Sequence, residues 1–158
     1  MRTFRWVLFL LLLLVLQTVI FPRLNLFGIY PDSFLVAVVV VAVTAESTPA
    51  LLLAGFLGFL QDILSVGIYL NTMIKVMAGL VVANINREFV GDRGRLALGL
   101  TALISPAVVL LESLFYAVFL EAKLDLWYIL LKLIVQTGMN LLLVPVFFWL
   151  TEKLVVNE

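Results

Sequence analysis

Residues 48–65 read TPALLLAGFLGFLQDILS. Thr48 is placed to cap a helix, and Pro49 suits the first helical position, where its missing amide hydrogen is not needed. A helix from there to Leu64 is roughly 25 Å long at 1.5 Å per residue, close to the roughly 30 Å of hydrocarbon in a bilayer. Gly55, Gly58 and Asp62 fall at i, i+3 and i+7, on one face. An acid in so apolar a helix needs a partner or a water-filled cavity. Glycine beside it lets another helix backbone come close. The segment therefore predicts one wall of a membrane bundle with a polar interior.

The remainder of the chain agrees with this. Of 158 residues, 65% are apolar and 13% charged, the latter about half the share of an ordinary soluble domain. Six helices of roughly 20 residues take about 120 residues, which leaves only short loops. The longest polar stretch is 84–95, too short for a folded extramembrane domain. The fold class expected is an all-α integral membrane protein, with residues 1–158 forming a single domain of six transmembrane helices. Histidine and cysteine are absent, which excludes thiolate and imidazole metal sites, Ser–His triads, cysteine nucleophiles and disulfides. Ten basic and ten acidic residues balance, so no nucleic-acid footprint is expected. The acids are scattered singly, without the clustering that a metal-dependent phosphotransferase needs. No enzyme activity and no cofactor are expected.

The first helix is predicted over residues 6–21, ending at Pro22. It lacks a small-residue cleavage site after its apolar core and reads as an uncleaved span, not a signal peptide. Asp32 or Ser33 caps the second, residues 34–45, which is short for a bilayer and suggests a thin region or cover by protein. After the segment quoted above come a turn at 65–67 and a fourth helix over 69–85. A polar, mobile loop over 86–95 leads to a fifth helix over 96–120, kinked at Pro106. The sixth covers 126–151, bent near Pro145. Trp6, Trp127, Tyr128 and Trp149 fall near the expected interfaces.

Six spans put Arg2, Arg5, Arg87, Arg93, Arg95 and Lys153 on one side and Arg23 and Lys123 on the other. The basic side faces the cytoplasm, so both termini are expected there. The cluster Arg87, Arg93 and Arg95 is this topology signal or a docking point for an acidic partner.

Four ionisable residues lie inside predicted spans: Asp62, Lys75, Glu112 and Lys132. Asp62 and Lys75 are equidistant from the tip of the 3–4 hairpin, and Glu112 and Lys132 from the tip of the 5–6 hairpin. Equal depth in antiparallel helices predicts the pairs Asp62–Lys75 and Glu112–Lys132. Polar or small residues extend each stripe: Asn71, Lys75, Gly79 and Ala83; Thr101, Ser105, Glu112 and Tyr116; Lys132, Gln136 and Asn140. Such stripes serve as interhelical glue, as a ligand or ion cavity, or as a groove for a partner's helix. Gly55 and Gly58 mark helix packing or a partner interface.

The order of motifs resembles the MreD family of bacterial rod shape-determining membrane proteins. Its signs are Gln17 closing the first helix, Pro31-Asp32 opening the second, the run 54–65 followed by Gly67, and Asn140, Pro145 and Lys153 at the end. The likeness covers nearly the whole chain. Asn71 and Lys75 depart from the family's usual pattern. The resemblance implies a non-enzymatic scaffold of the cell-elongation complex in the bacterial inner membrane. Its partners would be an MreC-like single-span protein, RodA with a class B penicillin-binding protein, and MreB on the cytoplasmic side. It also implies a fold similar to the substrate-binding subunits of energy-coupling-factor vitamin transporters, and such a subunit is the alternative function.

Overall fold

The computed structural model describes residues 2–45, 47–65, 69–121, 123 and 125–156. Among these the chain is all-helical, with no strand beyond a single bridge between Leu26 and Ile29. Helix α1 is Arg2–Val15, continued by a wide π turn over Leu16–Ile20 and a last turn over Phe21–Arg23. Helix α2 is Ser33–Thr44, α3 is Ser47–Leu64 and α4 is Leu70–Glu88. Helix α5 is Arg93–Phe119, and α6 is Leu126–Thr151 with a π turn over Glu152–Val156.

Four of these segments are long and apolar enough to cross a membrane: Phe4–Arg23, Ser47–Leu64, Arg93–Phe119 and Leu126–Leu154. They fit a multi-pass membrane protein. The other two depart from the expected pattern in different ways. Helix α4 is long enough, but Asn71, Lys75, Asn84, Asn86 and Arg87 make it more polar than a lipid-facing span. Helix α2 has 12 residues, roughly 18 Å at 1.5 Å per residue.

Helix α2 resolves the question its length raises, because it is covered by protein and not by thin bilayer. All twelve of its residues are buried, and it packs against each of the other five helices. Its sequence, SFLVAVVVVAVT, is apolar all round, which is what a helix with no solvent or lipid face requires. Phe9 and Leu13 of α1, Leu57 of α3, Val82 of α4, Leu100 of α5 and Phe147 of α6 close on it.

Several boundaries move. Helix α3 starts at Ser47, so Thr48 is not its cap. Pro49 still lies in the first turn, where no intrahelical amide bond is lost. Helix α1 passes through Pro22 to Arg23 instead of stopping there. The expected loop over 86–95 shrinks to four residues. Helix α4 continues to Glu88, and Asp92 caps α5 at Arg93 by accepting from the amides of Gly94 and Arg95. Asp125 caps α6 in the same way, through Trp127 and Tyr128. In the turn expected at 65–67, Val66 and Gly67 lie outside the described residues.

Candidate functional site: a buried polar node beneath a cavity

A helix that begins inside a membrane protein must find partners for its first amides. At α2 these partners come from other helices. The π turn of α1 brings Gln17 inward, and its Oε1 accepts from the Ser33 amide at 2.8 Å and from the Ser33 hydroxyl. Asn140 of α6 accepts from the Asp32 amide at 2.8 Å, while its Nδ2 donates to the Ser105 hydroxyl of α5. Asp32 takes the Leu35 amide on Oδ1 at 2.9 Å, as a cap should. Its Oδ2 accepts from Lys75 of α4 at 3.0 Å. The far end of α2 is closed as well, by Asn86 donating to the Ala42 carbonyl at 3.3 Å.

This overturns the expected Asp62–Lys75 pair. Lys75 is fully buried and its partner is Asp32. Asp62 has a different task at the C-terminal end of α3, where it caps α4. Its Oδ1 accepts from the Asn71 amide and Nδ2, and its Oδ2 from the Thr72 amide and hydroxyl, at 2.6 to 3.0 Å. Four donors saturate the carboxylate, and its charge sits at the positive end of the α4 dipole. Lys75 lies inside the bundle, as its depth implies, but α2 starts deeper than either hairpin tip and supplies its partner from outside the hairpin.

The second expected pair is present. Lys132 Nζ donates to Glu112 Oε2 at 3.1 Å, linking α5 to α6. The stripes face inward as expected: Asn71, Lys75, Gly79, Ala83, Thr101, Ser105, Gln136 and Asn140 are all buried. Gly58 settles into α3–α4 packing. A Cβ there would lie 2.5 Å from Thr72 Cα and 2.8 Å from the Asn71 carbonyl oxygen, so the two backbones touch and no partner has access. Gly55 also turns towards α4 but has ordinary room, with Val76 3.8 Å away. Arg87 donates to the Ser47 hydroxyl at 3.1 Å, while Arg93 and Arg95 are exposed at the start of α5, Arg95 beside Asp92. All three lie at the end of the bundle opposite the node.

Asn140 lies 14 residues from Leu126, where α6 starts, and Ser105 lies 14 from Phe119, where α5 ends, roughly 21 Å in each case. Helix α2 therefore starts well below those ends, and the space above its N-terminus is a cavity of ≈ 320 Å³. Its floor is Asp32, its walls carry Gln61, Asn71, Glu112, Lys132 and Gln136, and Gly28, Ile29 and Tyr30 border it. Gly28 and Ile29 belong to a tight turn held by Leu26 and Ile29, with Phe27 and Gly28 both at positive φ, and Tyr30 follows it. Sequence reasoning missed Gln17, Ser33 and Ser105 as members of one network with Asp32. The signals were present: a glutamine at the end of an apolar helix, and an Asp-Ser pair opening a span too short to cross.

Among the described residues no group of acids is placed to hold a metal ion. Comparison of the chain with protein-family models, with curated proteins and with solved structures yields no match.

Proposed function

We propose that this chain is an MreD-like scaffold of the cell-elongation complex, whose chain crosses the bacterial inner membrane six times, once through the short protein-covered α2, with both termini in the cytoplasm. It binds an MreC-like single-span protein and helps couple peptidoglycan synthesis, by RodA with a class B penicillin-binding protein, to the MreB cytoskeleton. One observation carries the reading. Residues on which the resemblance rests come from three separate stretches, and hydrogen bonds join them in one node: Gln17 holds Ser33 beside Asp32, and Asn140 holds the Asp32 amide. Residues shared as an ordered motif and also joined as a hydrogen-bonded node are what a common scaffold requires.

The outer surface supports binding of a partner's helix. Helices α4 and α5 follow one another but diverge, leaving an apolar cleft of ≈ 590 Å³ between Met73, Met77, Leu103, Leu111 and Phe115. Met73 and Met77 are well exposed, and methionine adapts to varied apolar partners. Exposed Arg93 and Arg95 present positive charge at the end assigned to the cytoplasm.

The test is affinity purification of the full chain from its own membrane. Co-purification of a single-span protein encoded beside it, lost on Met77→Trp while the bundle stays folded, is the expected result. Co-purification with an ATPase module and a bound vitamin would replace this reading with the transporter subunit. The cavity above α2 is the observation favouring that alternative.

A further inference from the structure

We infer that the cavity above α2 binds a small zwitterion, a molecule carrying an ammonium and an oxyanion close together, as a free α-amino acid does. The selecting feature is the ion pair on its wall. Glu112 and Lys132 both line the cavity, and their side chains are 13% and 25% exposed. One hydrogen bond joins them, from Lys132 Nζ to Glu112 Oε2 at 3.1 Å. An ammonium has three donors, and a carboxylate has two acceptor oxygens. Among the described residues no hydrogen bond uses Glu112 Oε1 or a second Lys132 hydrogen. Free valence of both signs is therefore left side by side on the cavity wall. The other acids nearby are spent. Asp32 is taken by Lys75 and the Leu35 amide, and Asp62 by four donors of Asn71 and Thr72.

The balance of charge decides the class of guest. A lone anion at Lys132 is repelled by Glu112, and a lone cation at Glu112 is repelled by Lys132, so either loses at one end what it gains at the other. A zwitterion laid against the pair sets its carboxylate at Lys132 and its ammonium at Glu112, with a charge-assisted hydrogen bond at each end. A neutral hydroxyl-bearing guest meets the same pair without charge of its own and gains less. The neighbours favour the ammonium. Tyr116 follows Glu112 by four residues on α5, and Tyr128 precedes Lys132 by four on α6. Residues so spaced share a helix face, so both tyrosines stand one turn nearer the open end than the pair, and both line the cavity. A tyrosine ring attracts an ammonium held over its face. Tyr128 is exposed while Asp32 and Asn71 are buried, so the cavity opens past Tyr128 and ends on the α2 N-terminus. Its ≈ 320 Å³ is at the low end of ligand pockets, roughly 300–1,000 Å³, which suits one amino acid and no peptide. The inference does not depend on the scaffold reading, since it rests only on the cavity and its wall pair.

The test titrates the purified full chain, in nanodiscs of phosphatidylglycerol alone, with L-alanine, following thermal stability and intrinsic fluorescence. Lactate keeps the carboxylate without the ammonium, ethylamine the ammonium without the carboxylate, and glucose neither. Saturable stabilisation by alanine, about tenfold tighter than by any of these three, is expected. Glu112→Gln should weaken alanine about tenfold, the loss of one hydrogen bond to a charged group. The same variant frees Lys132 and should strengthen lactate, a change of preference that a merely structural role would not produce. Lys132→Gln is the second variant, used if the first does not fold, and should turn the preference towards ethylamine. Nanodiscs containing phosphatidylethanolamine distinguish the two sources of such a zwitterion. Loss of alanine binding there assigns the site to the lipid headgroup, and unchanged binding assigns it to the free amino acid. Lactate, ethylamine or glucose bound as tightly as alanine would overturn the inference. So would alanine binding and solute preference unchanged in the folded variants, or a flat response to alanine in phosphatidylglycerol, which would mean a cavity filled by water only.

Discussion

The two intramembrane ion pairs are made of the same chemistry but do different work. Lys75–Asp32 is sealed, with side chains 0% and 4% exposed, and joins helices 43 residues apart. Lys132–Glu112 is 25% and 13% exposed, spans 20 residues within one hairpin, and lies on the cavity wall. A sealed pair forfeits its hydration and holds only if every remaining valence is met. At Asp32 each carboxylate oxygen has a partner, because Oδ1 caps α2 while Oδ2 takes Lys75. The pair at the cavity wall keeps access to water and needs no such network. The sealed pair therefore fixes the bundle, and the wall pair sets the character of a cavity.

That contrast is easiest to break at Lys75. Lys75→Met strands the buried Asp32 carboxylate without its base, so about 3–5 kcal/mol of stability should be lost. Asp32→Asn in the same chain should restore most of it. A double-mutant cycle on thermal unfolding in detergent measures the coupling, and additive losses would refute the pair. Gly58→Leu attacks the same pair from behind. Its side chain meets the α4 backbone, so α3 and α4 must part at a cost of about 3 kcal/mol. Native-state hydrogen exchange should rise along α4 but not along α6. Equal loosening of both helices would mean that the two pairs are not mechanically separate.

Asp62→Asn sharpens the comparison by showing a buried acid that needs no base. An amide presents one acceptor and one donor to four donors, so a loss of about 2 kcal/mol is expected, and Lys75→Met should not alter it. A strong coupling between those two substitutions would reinstate the hairpin pair. Glu112→Gln should matter least, about 1 kcal/mol or less, because the wall pair is only part-buried. A loss as large as that of Lys75→Met would show that the cavity is dry.

How much could be read in advance varied with the kind of residue. Helix α6 was legible to the residue, because Asp125 and the apolar run after it are local signals. The inward faces of α4, α5 and α6 were legible from periodicity, since side-chain direction follows from helix geometry alone. The Glu112–Lys132 pair was legible because a hairpin relates its two strands of sequence by simple reflection. The loop over 86–95 was misjudged because Asn86 and the three arginines look solvated, yet the helix ends extend into it, through Asp92 capping at one end and an Arg87–Ser47 contact at the other.

Sequence by itself determined that this is an apolar helical chain with a few buried charges, and roughly where each helix lies. Those are properties of neighbours along the chain: hydropathy, spacing and capping. Only the tertiary structure decided which charge meets which. Asp32, Asn140, Gln17 and Lys75 come together because a 12-residue helix stands in the centre of longer ones. Its buried end needs donors and acceptors from whichever helices surround it. That demand arises from packing in three dimensions, so no spacing along one hairpin could express it.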